Sequence, residues 1–158
     1  MPDTRTTTLG AIRVADVDDA EAVAALVQSL SGYYLSPGAT ELPDWFAMSI
    51  TPQAFVERFA NDDFDSFVCV LDQEIVAYLS IKQRDHLYHL FVAETHQRKG
   101  MAKSLWQYAT ARLNIAQCMV RSSLFAVPIY ERLGFSATEP VAFKDDIGFQ
   151  VMRLEDQS

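Results

Sequence analysis

Nowhere does the sequence run to about 18 apolar residues in a row, so no segment reads as a membrane-spanning helix. The opening, MPDTRTTTLGAIRV, has no basic start followed by an apolar stretch, so it does not read as a secretory signal. Cysteine is scarce. Cys69 and Cys118 lie far apart in apolar segments and read as buried free thiols of a cytoplasmic protein rather than a disulfide. No Cys/His cluster has the spacing of zinc ligands, so no metal is expected. Basic residues are outnumbered 13 to 21, for a net charge of −8. A protein that tracks nucleic-acid phosphates shows a basic face, so nucleic acid is not expected as a partner. There is no internal repeat and no low-complexity linker.

What is present is a core. Hydrophobic residues make up 49% and charged residues 22% of 158 positions, which suits one folded domain. We read residues 1–9 as a flexible N-terminal tail and 10–158 as that domain. Ala11–Ala15 alternates as a first strand. Asp16 or Asp18 can cap a helix whose apolar stripe is Val23, Leu26, Val27, Leu30 and Tyr34. The stretch 33–50 mixes aromatics with Pro37, Gly38 and Pro43 and reads as a long loop. It is either a lid over a binding site or a plug against the core. Thr51 and Pro52 start a helix as cap and first residue. Ser66–Leu71, Ile75–Lys82 and His86–Val92 then form a three-stranded antiparallel meander. The third strand leads through a polar turn into a helix from Gly100 to about Leu113. A short strand, Met119–Ser122, should lie parallel to the His86 strand across a right-handed crossover. A helix follows with Ala126, Ile129, Tyr130 and Leu133 on one face and Gly134 at its end. Two closing strands surround residues 145–148.

Two stretches carry chemistry. In Gln97-Arg98-Lys99-Gly100-Met101-Ala102, between a strand end and a helix start, unpaired backbone N–H groups and the helix dipole attract phosphate oxygens. Gly100 permits close approach of the backbone, and Ala102 keeps the next turn small. From Gln97 to Arg112 there are four basic residues and no acidic one, a positive patch in an acidic chain. The second stretch is Ser123-x-x-Ala126-x-x-x-Tyr130-x-x-x-Gly134-Phe135.

The first hexapeptide resembles Q/R-x-x-G-x-G/A, the pyrophosphate signature of the GNAT superfamily of N-acetyltransferases. The second resembles that family's N-x-x-A-x-x-x-Y-x-x-x-G-F landmark, in the expected order, with Ser123 in place of the usual Asn. The resemblance implies an α+β fold: a mixed, mostly antiparallel sheet of 6–7 strands with one splayed parallel pair, flanked by about four helices. It implies acetyl-CoA as cosubstrate, with no metal. Gln97, Arg98, Lys99, Gly100, Met101, Ala102, Lys103 and Ser104 would hold the pyrophosphate. Backbone groups of Leu90, Phe91 and Val92 would meet the pantetheine arm and polarise the acetyl carbonyl. Ser123 and Ala126 would complete the cofactor site.

Tyr130, by the same resemblance, would be the acid that protonates the departing thiolate; without it, the residue reads as a core aromatic. His86 sits where several GNAT enzymes carry a base, the alternative being a solvated histidine or a water relay. His89 has opposite parity to His86 in a regular strand, so the two should not share a cleft. The reading is direct transfer of acetyl to the amine of a small molecule or peptide. The alternative is a CoA-binding regulatory module without catalysis. A homodimer is left open. Tyr33, Tyr34 and Trp45 are the candidate substrate contacts. Seven acids (Asp3, Asp16, Asp18, Asp19, Glu21, Glu41, Asp44) against Arg5 and Arg13 in the first fifty residues argue for a cationic or neutral acceptor.

Overall fold

The computed structural model describes residues 5–7, 10–35, 41–145 and 147–154, apart from the Tyr34 side chain and those of residues 5–7. Its backbone is one sheet of nine strands: β1 (Arg5–Thr7), β2 (Gly10–Val14), β3 (Phe64–Leu71), β4 (Glu74–Lys82), β5 (His86–Val92), β6 (Cys118–Ser123), β7 (Ser136–Ala137), β8 (Ala142–Lys144) and β9 (Ile147–Leu154). The order is β1-β2-β3-β4-β5-β6-β9-β7, with β8 on β9, and every pairing is antiparallel except β5 with β6. Five α-helices pack on it: α1 (Ala20–Leu30), α2 (Asp44–Ser49), α3 (Pro52–Phe59), α4 (Met101–Leu113) and α5 (Val127–Arg132).

The expected meander is β3, β4 and β5. Asp72 and Gln73 both adopt positive φ in the β3–β4 turn, the backbone of a two-residue hairpin loop that matches strand twist. Alternation along the central strands then separates two cores. Phe67, Cys69, Ala77, Leu79, Ile81 and Leu87 face α4, with Met101, Leu105 and Ala109 packed against them. Val68, Tyr78 and Phe91 face α1 and α3, meeting Val23, Val27, Leu30 and Phe55. Leu105, Leu87, Val23 and Phe55 are all fully buried, so each contributes on the order of 2 kcal/mol of transfer free energy.

Local signals hold where they were strongest. Thr51 accepts from the Ala54 amide at 3.2 Å, and Pro52 opens α3. Asp16 accepts from Asp18 N while Asp19 accepts from Asp16 N, a reciprocal cap ahead of α1. Both cysteines are free and buried.

One expectation is corrected, and two others gain detail. Arg5–Thr7, set aside with the tail, pair with Gly10–Val14; residues 1–4, 8 and 9 lie outside the described residues. The stretch 33–50 is not a plain loop: a short 3-10 turn spans Ser31–Tyr34 and α2 spans Asp44–Ser49, while residues 36–40 lie outside the description. The expected mixed, mostly antiparallel sheet with one parallel pair is the sheet observed; the very short β1 and β7 add to its strands and α2 to its helices. Among the described residues no helix is long and apolar enough to cross a membrane.

Candidate active site

The β5–β6 pair is the opening of the molecule. Only His86↔Met119 and Leu87↔Val120 are in register, whereas β6 stays paired with β9 along its whole length. Beyond Leu87 the two parallel strands therefore part, and their facing edges have no strand between them. Ala93 N donates to Val76 O at 2.8 Å, so odd-numbered residues here turn their backbone groups toward β4. By alternation Leu90 and Val92 turn theirs into the opening, and Phe91 does not. The Gln97 side chain confirms the direction by donating to the Val92 carbonyl at 3.0 Å.

At the wide end of the opening stands the start of α4. Gly100, with φ 80° and ψ 9°, is its left-handed cap and supplies no side chain, and no other side chain caps the helix. The first turn contains no acid, and Arg98, Lys99 and Lys103 are exposed around it. A β-carbon at Gly100 would meet nothing within 4 Å, so the space before the helix is free. Bare N–H groups, a helix dipole and three cations make a seat for a pyrophosphate. Residues of this kind fit the anionic end of acetyl-CoA.

On the α4 side of the opening lies Tyr130, 5% exposed, its ring edge-on to Phe135 at 5.7 Å. Burial, with Cys118 nearby, raises the phenol's pKa well above its ordinary value, so its proton stays on through neutral and alkaline pH. Burial also pushes the Cys118 thiol up to about 12 and raises Cys69, which removes both as thiolate nucleophiles. Ser123 has turned inward: its Oγ accepts from the Ala126 amide at 3.2 Å and holds the turn into α5.

The opposite face differs from the expectation at one point. Register slips between Ser80 and Ile81, which pair with His89 and Leu87, leaving Tyr88 as an extra residue. That bulge resets the alternation. His86, Tyr88, His89 and Phe91 now follow one another as neighbouring rings, at 5.8, 4.4 and 5.4 Å between successive centroids. The two histidines share a face after all. His89 Nδ1 is 3.0 Å from the Tyr78 hydroxyl. Burial, then the Arg58 charge, then His86 lower the His89 pKa well below its ordinary value. Burial also lowers His86, helped by Lys82 and Arg121 and opposed by Asp85. His86 lies where β5 and β6 still pair; His89 lies beside the parted stretch. His89 was set apart by parity and Tyr88 not singled out, because a bulge leaves no mark in a run such as HLYHLFV; Tyr78 and Arg58 join them from β4 and α3 only through the fold.

The substrate candidates divide. Tyr33 stacks on Phe125 at 4.2 Å and 17°, reaching across to the turn after β6. Partial desolvation and the neighbouring Glu94, just beyond the end of β5, raise its phenol. It thus touches both rims of the opening. Trp45 does not face it freely: its Nε1 donates to Asp145 at 2.6 Å, and Lys144 Nζ lies 4.1 Å over its ring. The aromatic face expected for a cationic acceptor is taken by the protein's own lysine. Asp19 is likewise spent on Arg13, at 2.8 Å, and Asp16 on capping. The Tyr34 side chain lies outside the described residues, as does Asp3. Among the described residues no group of three or more His, Cys, Asp or Glu side chains could hold a metal ion.

A splayed parallel pair whose first strand runs into an uncapped, cation-ringed helix start is the architecture of an acetyl-CoA-binding acetyltransferase. The model of the acetyltransferase (GNAT) domain matches residues 31–156, and the chain belongs to that family. Its fold is similar to the PaiA N-acetyltransferase of Thermoplasma acidophilum in complex with coenzyme A, at 14% identity and TM-score 0.77 over 91% of this chain and 97% of that one. It is also similar to a GCN5-related N-acetyltransferase of Rhodopseudomonas palustris, at 18% and 0.73 over 96% and 98%. A third is a spermidine N-acetyltransferase of Vibrio cholerae, at 16% and 0.62 over 91% and 94%. Among curated proteins no sequence matches this chain.

Proposed function

We propose that this protein is an acetyl-CoA-dependent N-acetyltransferase acting by direct transfer to an amine. The observation that carries the reading is the parted β5–β6 edge above the bare start of α4. Acetyl-CoA supplies an activated acetyl thioester. The 97–104 segment binds its pyrophosphate, with Gln97 also fixing the end of β5 through Val92. The Leu90 and Val92 backbone edge lines up the pantetheine arm, and an N–H there stabilises the negative charge that develops on the carbonyl oxygen.

Acid and base stand on opposite faces of the opening. A neutral amine attacks from the histidine side, forming the N–C bond as the C–S bond breaks. Its proton passes to an imidazole, and Tyr130 gives its own proton to the thiolate on the α4 side. His89 is the better placed of the two histidines, since it lies past the point where the strands separate. In the tautomer whose Nδ1–H donates to the Tyr78 hydroxyl, Nε2 keeps the lone pair that accepts the proton. His86, the candidate from sequence, becomes its neighbour. The high thiol pKa of both cysteines supports transfer without an acyl-enzyme.

One observation favours the second reading, a CoA-binding module without turnover: Ser123 spends its hydroxyl on the Ala126 amide. Thiol release from acetyl-CoA over a panel of amines, beside a titration of acetyl-CoA binding, decides between them. Turnover with any amine establishes the enzyme; tight binding with no release across the panel establishes the module.

A further inference from the structure

A buried guanidinium on the amine side of the opening is left half-satisfied. Arg58, on α3, is only 9% exposed. Its Nη2 donates to the Ser49 carbonyl at 3.0 Å, closing α2 against α3. Its Nη1 is buried with no hydrogen-bond partner. Three rings enclose the group, with Cζ at 4.9 Å from the Phe55 centroid, 5.2 Å from Tyr88 and 5.7 Å from Phe64. Rings attract the faces of a guanidinium but do not accept its in-plane N–H bonds. A buried cation is ordinarily paired with an anion. Among the described residues the ion pairs are Arg13–Asp19 and Arg84–Asp65; Arg58 has none.

The place matters as much as the vacancy. Tyr88 is the extra residue of the β5 bulge, and its ring is 4.4 Å from that of His89. Guanidinium and imidazole thus flank a single ring. Two more cations border the same face: Lys82 Nζ lies 5.8 Å from the Phe64 ring, and Arg121 acts with Lys82 on His86. In a chain of net charge −8, cations thus gather beside the two histidines, opposed at His86 by Asp85.

We propose that the acceptor carries a carboxylate a few bonds from its amine, as an amino acid does, and that Arg58 Nη1 binds that carboxylate. The proposal rests on the acetyl-transfer reading and specifies its substrate class. A carboxylate oxygen suits one free nitrogen edge between flat rings, whereas a phosphate dianion would require more donors than this pocket offers. Phe64 and Tyr88, two of the three rings around the guanidinium, are themselves only partly buried. Within the expectation of a cationic or neutral acceptor, drawn from acids in the first fifty residues, this favours the neutral case, a zwitterion whose carboxylate is recognised.

The test uses the full chain with acetyl-CoA and measures thiol release for amino acids, each beside its carboxamide and its decarboxylated amine. Wild type should favour the carboxylate by about a hundredfold or more in kcat/KM, because the analogues leave a buried polar group unpaired. Arg58→Lys and Arg58→Gln should reduce that preference to about tenfold or less by slowing the carboxylate alone, with acetyl-CoA affinity unchanged as the check on folding. Equal use of amide and acid by wild type overturns the proposal. So does an Arg58 variant that slows both equally while still binding acetyl-CoA. If no amine is turned over, the enzyme reading fails separately. Thermal stabilisation of the CoA complex by N-acetyl amino acids, lost in Arg58→Gln, would then still uphold the carboxylate site, and its absence in wild type would refute it.

Discussion

Replacing Gly100 by Asp separates the phosphate seat from the rest of the fold. Two costs can be worked out beforehand. The backbone cost follows from φ 80°, where a residue with a β-carbon is strained by about 1–2 kcal/mol, Asp toward the lower end. No steric cost is added, since a β-carbon there meets nothing within 4 Å. At this chain length, about 1 kcal/mol moves Tm by about 2–4 °C, so the variant should stay folded at room temperature. The electrostatic cost is larger. A carboxylate about 5 Å from one phosphate charge is repelled by about 1 kcal/mol in water and about 3 at an effective dielectric near 20. Two phosphate charges at the helix start make the sum at least about 2 kcal/mol, or roughly thirtyfold in Kd. Gly100→Ala is the companion, with a comparable backbone cost and no charge. Calorimetric titration of acetyl-CoA into the wild type and both variants reads the difference, and melting curves report folding. The Asp variant should bind at least about thirtyfold more weakly than wild type, the Ala variant should lose much less, and added salt should narrow the gap between them. Equal affinity for the Asp and Ala variants, both folded, would refute the placement of the pyrophosphate before α4.

Tyr130→Phe preserves the packing on Phe135 and removes the proton donor; kcat should fall by about ten- to ten-thousand-fold with acetyl-CoA affinity held, and an unchanged chemical step would dismiss the acid role. The lowered pKa of His89 means the site is ready at neutral pH: kcat/KM should rise through an acid limb below about pH 6.5 and level off above it. His89→Gln should abolish that limb with a loss of rate, whereas His86→Gln should preserve it; the reverse pattern would restore His86 as the base. The same depression has a stability consequence, because the unfolded chain binds the proton that folded His89 refuses. Stability should be full above about pH 6.5 and decline as pH falls below it, less steeply in His89→Gln, as read from denaturant midpoints. Phe55→Ala removes a fully buried ring that touches Tyr78, His89 and Arg58, and should cost about 3–5 kcal/mol in urea unfolding; a loss under about 1 would mean the face is loosely packed.

Local chemistry decided much of this protein. The meander, the Thr51–Pro52 helix start, the strand that stops before Gly100 and the helix carrying Tyr130 depend on neighbours within a few residues. Periodicity and turn residues therefore exposed them, and the seat proposed for acetyl-CoA lies among them. That seat is a backbone site, built from consecutive residues 97–104. The amine side is different in kind. Its parity was misjudged because strict alternation assumes unbroken register, and the slip at Ser80/Ile81 is fixed by how β4 and β5 pair, not by the composition of either. Its members come from Ser49, Arg58, Tyr78 and Tyr88, on α2, α3, β4 and β5, which meet only when both helices fold onto the sheet. Charge is subject to the same limit. Acids counted along the first fifty residues include Asp16 and Asp19, which are consumed in a cap and an ion pair, while Lys82 and Arg121 meet at His86 and Arg58 lies near His89. Net charge is additive along a chain, but the field at a site depends on distance, and distance is set by the tertiary fold alone.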